Sequence, residues 1–179
     1  MKNVKLLIVV LISFISVVCS AQEQISATST LYIVRTSSLG AAMNFKFFMD
    51  DQYLGKFNYG KYFKLEVPAG EHVIWAKAEN RSYVKATLEA GQTYVINAEP
   101  KMGAMKASVA LKAINEPTEK EMERIIKYIN KKKLLIYDKD KREAEQKDYA
   151  GLIEKGMQHY NEKVSGAPDL EILHKATTL

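Results

Sequence analysis

From Thr30 to about Ile114 apolar and polar residues alternate with a period of two, and beyond Pro117 the period lengthens to between three and four. The first regime predicts a series of short strands. Thr30–Arg35 is β-branched and aromatic. Asn44–Met49 places Phe45, Phe47 and Met49 on one face, with Lys46 and Phe48 on the other. Tyr53–Phe57 follows the turn Asp50-Asp51-Gln52, and Tyr62–Val67 follows Asn58-Tyr59-Gly60, turning Phe63, Leu65 and Val67 inward. His72–Ala78, Tyr83–Glu89, Thr93–Glu99 and Lys106–Ile114 continue the series, with Pro100-Lys101-Met102-Gly103 breaking the run before the last. Two of the turns share a grammar, Val67-Pro68-Ala69-Gly70-Glu71-His72 and Leu88-Glu89-Ala90-Gly91-Gln92-Thr93-Tyr94. A glycine able to take positive φ stands in each, so the flanking strands are expected to pair as antiparallel neighbours. The fold class is therefore mainly β, an antiparallel β-sandwich of seven to eight short strands spanning 30–115.

The second regime predicts a helical appendage over 116–165, as a hairpin or tail. Thr118 with Glu121 three residues later is a capping box, in which the Thr118 hydroxyl accepts from the Glu121 amide and the Glu121 carboxylate reaches back. Met122, Ile125, Ile126 and Ile129 form one apolar stripe. Leu134-Leu135-Ile136-Tyr137 is a short apolar bridge. A second helix is expected from about Asp140 to Val164, carrying Tyr149, Leu152, Ile153, Met157 and Tyr160, and ends at Ser165-Gly166-Ala167-Pro168. The stretch 166–179 reads as a frayed tail. Apolar stripes of this length need cover, and the economical partners are each other and the sandwich face that bears Trp75.

The start of the chain changes the picture of where this fold operates. Lys2 and Lys5 precede an apolar run of 13 residues, Leu6–Val18, followed by Cys19-Ser20-Ala21 and the polar Gln22-Glu23-Gln24. That describes a secretory signal peptide over 1–21 cut after Ala21, since a spanning helix needs about 20 apolar residues. The expected address is periplasmic or extracellular. The alternative is lipidation at Cys19, which would give an outer-membrane-associated lipoprotein, although Val18 is a poor residue to precede a lipidated cysteine. Cleavage after Ala21 leaves no cysteine, so disulfides are excluded and stability must come from burial. The formal charge of +5 falls to about +3 without Lys2 and Lys5, too small an excess to argue for nucleic acid.

The order Tyr62-Phe63, Val67-Pro68-Ala69-Gly70-Glu71-His72 and Leu88-Glu89-Ala90-Gly91-Gln92-Thr93-Tyr94-Val95-Ile96 resembles a bacterial envelope family, domain of unknown function 2846, itself similar to PEGA-type domains. The likeness covers about half of the chain, from about Leu31 to Ile114. It implies a small exported β-sandwich, often lipid-anchored in that family, and it supplies no catalytic residues.

Candidate chemistry is sparse. His72, His159 and His174 lack a second histidine or cysteine at metal-ligand spacing, so no metal and no cofactor is implied. His72, at a strand start, is read as structural. Glu171 and His174 have a carboxylate and imidazole three apart in a single copy. Asp50 and Asp51, adjacent in a turn, are read as caps of backbone amides. No phosphate loop or nucleophile elbow occurs. An enzyme is not expected, a hydrolase with scattered residues being the remote exception. Two features suit binding. Trp75 lies opposite the inward set Ile74, Ala76 and Ala78, and with Tyr53, Tyr59, Tyr62 and Tyr83 offers aromatic surface, unless these rings pack in a second layer or under the helices. The segment Lys131-Lys132-Lys133 with Lys139, Lys141 and Arg142, beside Leu134-Leu135-Ile136, suits an anionic membrane surface or an envelope protein. The expected role is a non-enzymatic exported binding or structural module of the cell envelope, the alternative being a small-molecule or glycan binder using the aromatic surface around Trp75. Oligomeric state has no sequence signal.

Overall fold

A computed structural model describes residues 27–102 and 107–179. All eight strands expected from the alternation are present: β1 (Thr28–Val34), β2 (Phe45–Met49), β3 (Gln52–Phe57), β4 (Lys61–Pro68), β5 (Gly70–Lys77), β6 (Arg81–Leu88), β7 (Thr93–Met102) and β8 (Ala107–Ala113). Two more come from the C-terminal part, β9 (Lys133–Leu134) and β10 (Glu171–Leu173). They form two five-stranded sheets, β8-β7-β1-β4-β9 and β10-β6-β5-β2-β3. The main core lies between the sheets, where Leu31, Ile33, Phe45, Phe47, Phe63, Ile74, Val84, Tyr94 and Ile96 are all buried.

Pairing departs from the antiparallel expectation. β1 runs parallel to β7, β4 to β9 and β6 to β10, so both sheets are mixed. The two glycine turns are also not hairpins. β4 pairs with β1 and β9, whereas β5 pairs with β6 and β2, so the turn at Gly70 carries the chain from one sheet to the other; the turn at Gly91 does the same between β6 and β7. The glycines do adopt positive φ, +134° at Gly70 and +73° at Gly91. A tight reversal shows where the chain turns, and only long-range packing decides whether the next strand pairs or crosses over. Both arches are tied to the start of β1, through Ala69 N to Ala27 O at 2.9 Å and Gly91 N to Thr28 O at 2.7 Å.

Pro100 does not end β7. Opposite it, Val109 donates its N–H to Asn80 Oδ1 and its carbonyl accepts from Asn80 Nδ2, each at 2.8 Å, so the Val109 backbone faces away from β7. Pro100 therefore sits at a non-hydrogen-bonded pair, and on its other side β1 has already ended at the Val34–Asn97 pair. The missing N–H leaves no ladder bond unmade. Arg35, just past β1, is fully buried and organises the connection to β2: Nη1 donates to Met43 O at 2.6 Å, and Nη2 donates to Leu39 O and Gly40 O.

The C-terminal part wraps this sandwich. α1 (Glu119–Lys131) begins at Thr118, whose hydroxyl accepts from Glu121 N at 3.2 Å. The reciprocal half of the capping box is replaced, because the Glu121 carboxylate faces Lys112 and Arg124 instead. Ile125 and Tyr128 of α1 pack on the outer face of the first sheet, over Val34, Tyr62, Val95 and Ile114. The bridge 132–138 then passes along the β4 edge to the other sheet. The long second helix is broken into α2 (Lys139–Asp148), α3 (Ala150–His159) and a π-helical turn at Tyr160–Val164. α1 and the α2–α3 pair thus cover opposite faces, and no helical hairpin forms. Nor is 166–179 frayed: β10 lines β6, Asn115 Nδ2 donates to Ile172 O, and Thr177 is buried with its N–H on Thr93 O.

Candidate functional site

The outer face of the second sheet carries the aromatic residues. Register puts Tyr53, Phe48, Trp75 and Tyr83 in one line across β3, β2, β5 and β6, because Phe48 opposes both Tyr53 and Trp75, and Trp75 opposes Tyr83. The bulge between Phe47 and Phe48 realigns β2 on β3 at this row. Phe48 and Trp75 stack with centroids 3.9 Å apart and planes at 12°; Trp75 and Tyr83 stack at 5.9 Å, and Phe48 and Tyr53 tilt at 5.3 Å. Offset stacking of this kind contributes roughly 0.5–1.5 kcal/mol per pair beyond area burial. Three of the five residues expected to supply aromatic surface, Tyr53, Trp75 and Tyr83, therefore meet; Tyr59 lies with α1 instead, against Tyr128 at 5.8 Å. Tyr62 does not join them; it lies on the other sheet's outer face beneath α1, stacked on Tyr32 at 6.3 Å.

The row is covered, so of the two alternatives the rings pack under the helices and do not form open aromatic surface. Trp75 is 0% exposed and Tyr53, Tyr62 and Tyr83 are buried. The cover is the α3 stripe with its π turn, where Ile153 and Tyr160 are buried against the row and Leu152, Met157 and Val164 pack beside them. Gly156 is what allows α3 to lie flat on the indole: a Cβ there would stand 2.5 Å from Trp75 Cη2. Tyr83 donates its hydroxyl to Gly156 O at 2.9 Å, and Trp75 Nε1 donates to Asp50 O at 3.0 Å. Burial pushes the Tyr83 phenol up to about 12. At the other end, α2 docks on β3 like a surrogate strand, Gln146 accepting from Tyr53 N and donating to Asp51 O.

Beside Tyr53 lies a polar cluster. The Tyr53 and Tyr137 hydroxyls are 3.4 Å apart, Tyr137 donates to Glu145 Oε2, and Lys56 Nζ donates to Glu145 Oε1 at 2.8 Å. Burial would raise the Glu145 carboxyl, yet the hydrogen bonds from Lys56, Tyr137 and Tyr53 outweigh it and hold the group below its ordinary value. Lys56 is raised, first by its bond to Glu145. Burial, reinforced by Tyr137 and Glu145, raises the Tyr53 phenol. These shifts describe an interlocked joint between α2 and β3 centred on the Glu145 carboxylate.

The remaining candidates fall to structural duties. Asp50, at φ +52°, accepts from Val73 N through Oδ1, and its Oδ2 faces His72 Nδ1 at 2.8 Å. His72 Nε2 faces Pro68 O at 2.9 Å, so each ring nitrogen of His72 meets an acceptor and the residue pins the turn before β5 to the β2–β3 turn. Glu171 and His174 lie on an extended segment, not a helix, which removes the shared face that their spacing would give; Glu171 accepts from Ala113 N, and the His174 amide bonds Asn115 Oδ1. Among the described residues no three His, Cys, Asp or Glu side chains gather to hold a metal. Cys19 and the segment 1–21 lie outside the described residues. Sequence reasoning missed Phe48 as a member of the row and Gly156 as its notch. Phe48 was legible as an apolar residue on the strand face opposite Phe47, whereas nothing local distinguishes Gly156 from any helical glycine.

No family model matches the chain, and no solved structure matches it. An uncharacterised protein of Haemophilus influenzae is 30% identical to it over 94 residues, 52% of this chain and 56% of that protein. The chain thus aligns with little more than half the length of that relative.

Proposed function

We propose that the chain is a non-enzymatic exported module of a bacterial cell envelope, binding or structural in role, whose sandwich carries its own cover. The observation that carries this reading is the sealing of the aromatic row: four in-line rings, the natural platform for a ligand, are occupied by α3 and held there by the Tyr83 to Gly156 bond. The charged start and short apolar run at 2–18, and the likeness of 31–114 to an exported β-sandwich family, support the address. Mass measurement of the chain recovered from the envelope fraction tests that address. A start at Gln22 is expected, an acylated Cys19 would change the anchoring, and an intact Met1 in the cytoplasm would overturn export.

A second reading is favoured by the same row. Stacked rings flanked by tyrosine hydroxyls are a suitable platform for a glycan or other small molecule if α3 swings away. Trp75 is the single tryptophan, so its emission reports on this site directly. Titration with cell-wall glycans is expected to leave the emission of the closed module unchanged. A saturable red shift or quench would favour the binder.

A further inference from the structure

The bridge between the two faces of the sandwich carries an arrangement that packing does not require. Its backbone is fixed on the edge of β4, through Lys133 N to Gly60 O at 3.1 Å and Leu135 N to Tyr62 O at 2.9 Å. Leu135 and Tyr137 pack against the core. Alternation then turns Leu134 and Ile136 outward, where an extended surface segment ordinarily carries polar residues; they are 38% and 85% exposed. Four lysines lie along the same edge, Lys61 and Lys133 on the side of the strap that carries Leu135 and Lys131 and Lys132 at the end of α1. Lys61 and Lys133 are register partners in the parallel β4–β9 pair, a like-charge juxtaposition that is unfavourable without a counter-charge. Lys131 precedes them, and Lys132 Nζ lies 4.6 Å from the Tyr59 ring centroid. Among the described residues none of the four has a carboxylate within 4.0 Å. The neighbouring Asp138 is engaged as the N-cap of α2, accepting from Lys141 N at 2.9 Å.

We propose that this bridge is an interfacial anchor that sets Ile136 and Leu134 among the headgroups of an anionic phospholipid membrane while Lys61, Lys131, Lys132 and Lys133 meet its phosphates. Two protruding aliphatic side chains on a rigid, basic strap suit a fluid anionic interface, which closes around isolated residues. They do not suit a protein partner, which needs a contiguous apolar patch of several hundred square ångströms. The inference names the partner surface of the envelope module proposed above and rests on that reading only for where the membrane is met, since a vesicle measurement reads the strap whether or not the chain is exported.

The test is sedimentation of the full chain with vesicles of phosphatidylcholine alone or mixed with phosphatidylglycerol, the segment 1–21 being common to every variant so that the differences between variants are assigned to the strap. The chain is expected to prefer the anionic vesicles and to lose that preference as salt rises. Ile136→Ser is expected to weaken binding about tenfold. Lys131→Gln with Lys133→Gln should weaken it roughly 25-fold, at about fivefold per lysine, while the arginine pair retains it. All these side chains are exposed, so melting temperatures are expected to hold and loss of binding is not loss of fold. Equal binding to neutral vesicles, or Ser and Gln variants that bind like the parent, would overturn the anchor. A dimer in light scattering that Ile136→Ser dissolves, without vesicle binding, would reassign the strap to a second copy and also overturn it.

Discussion

Replacing Gly156 by alanine tests how tightly the cover is fitted to the aromatic row. The added methyl would stand 2.5, 2.9 and 3.0 Å from three atoms of the Trp75 six-membered ring, where ordinary contact begins near 3.4 Å. The indole has nowhere to go. Phe48 backs it at 3.9 Å, Tyr83 flanks it and its N–H is held by Asp50 O. α3 must therefore rise by a few tenths of an ångström to an ångström, loosening Ile153 and Tyr160 and lengthening the Tyr83 to Gly156 bond. Overpacking of this kind costs about 1–3 kcal/mol. Against it stands a gain of up to about 1 kcal/mol from replacing a helical glycine by alanine. The strain should prevail, by roughly 1–2 kcal/mol, lowering Tm by about 3–6 °C for a chain of this size. Gly151, in the same helix and exposed with no atom near its would-be Cβ, is the internal control: Gly151→Ala should be neutral or raise Tm slightly. Melts followed by Trp75 emission read both variants. A Gly156→Ala protein as stable as the parent would mean that α3 does not lie flat on the indole, and the account of the sealed row would fail with it.

Gly70→Ala and Gly91→Ala should each destabilise by about 1–2 kcal/mol in urea or thermal melts, since both have positive φ and open space around the Cβ, leaving backbone strain as the sole cause. Unchanged melts would show that these arches relax freely. Truncation after Asn115 should expose Trp75, Phe48 and Tyr83, giving dye binding and aggregation; a soluble, well-behaved β domain would contradict the role of the cover. Tyr83, raised to about 12 when folded against 10.0 as its ordinary value, contributes stability that is fully present below pH 10 and is lost as pH rises through its folded value. Tyr83→Phe should therefore flatten the alkaline fall in Tm between those limits, and an unaltered alkaline limb would refute the burial of its hydroxyl.

The strands were legible because alternation is a local property: Phe45, Phe47 and Met49 face the core in fact as in pattern, and Trp75 lies opposite Ile74 and Ala76. Pairing was not legible. Gly70 and Gly91 signal reversals, but whether β4 joins β5 in a hairpin or arches to the other sheet depends on which sheet buries Val67 and Ile74, a matter of contacts far apart in sequence. The break at Tyr149 was not legible either: the stripe Tyr149, Leu152, Ile153, Met157 and Tyr160 begins there, α2 before it buries no residue, and Gln146 ties α2 to β3 while α3 lies on the aromatic row. Of the candidate site, the aromatic residues and the need of the helical stripes for cover could be read, whereas the fit of α3 on the row through Gly156 could not, because it is set by contacts far apart along the chain.

One feature of the alternating strands did foretell the cover. A two-layer sandwich with solvated outer faces needs apolar residues on one face of each strand only. Here Phe48, Tyr53, Trp75 and Tyr83 on one sheet, and Val34, Tyr62 and Val95 on the other, add a second apolar set facing outward. Two such faces demand two covers, and the C-terminal segment supplies both: α1 for one, α3 and its π turn for the other. The strap joining them must pass an edge, and it does so along β4, while β10 lines β6 at the opposite end of the second sheet. Each of these short strands occupies part of an edge and so reduces the unpaired backbone through which sandwiches pair with their neighbours. Ile136, at 85% the most exposed large apolar side chain among the described residues, stands apart from that cover, which is why the strap and not the aromatic row is proposed above as the contact surface.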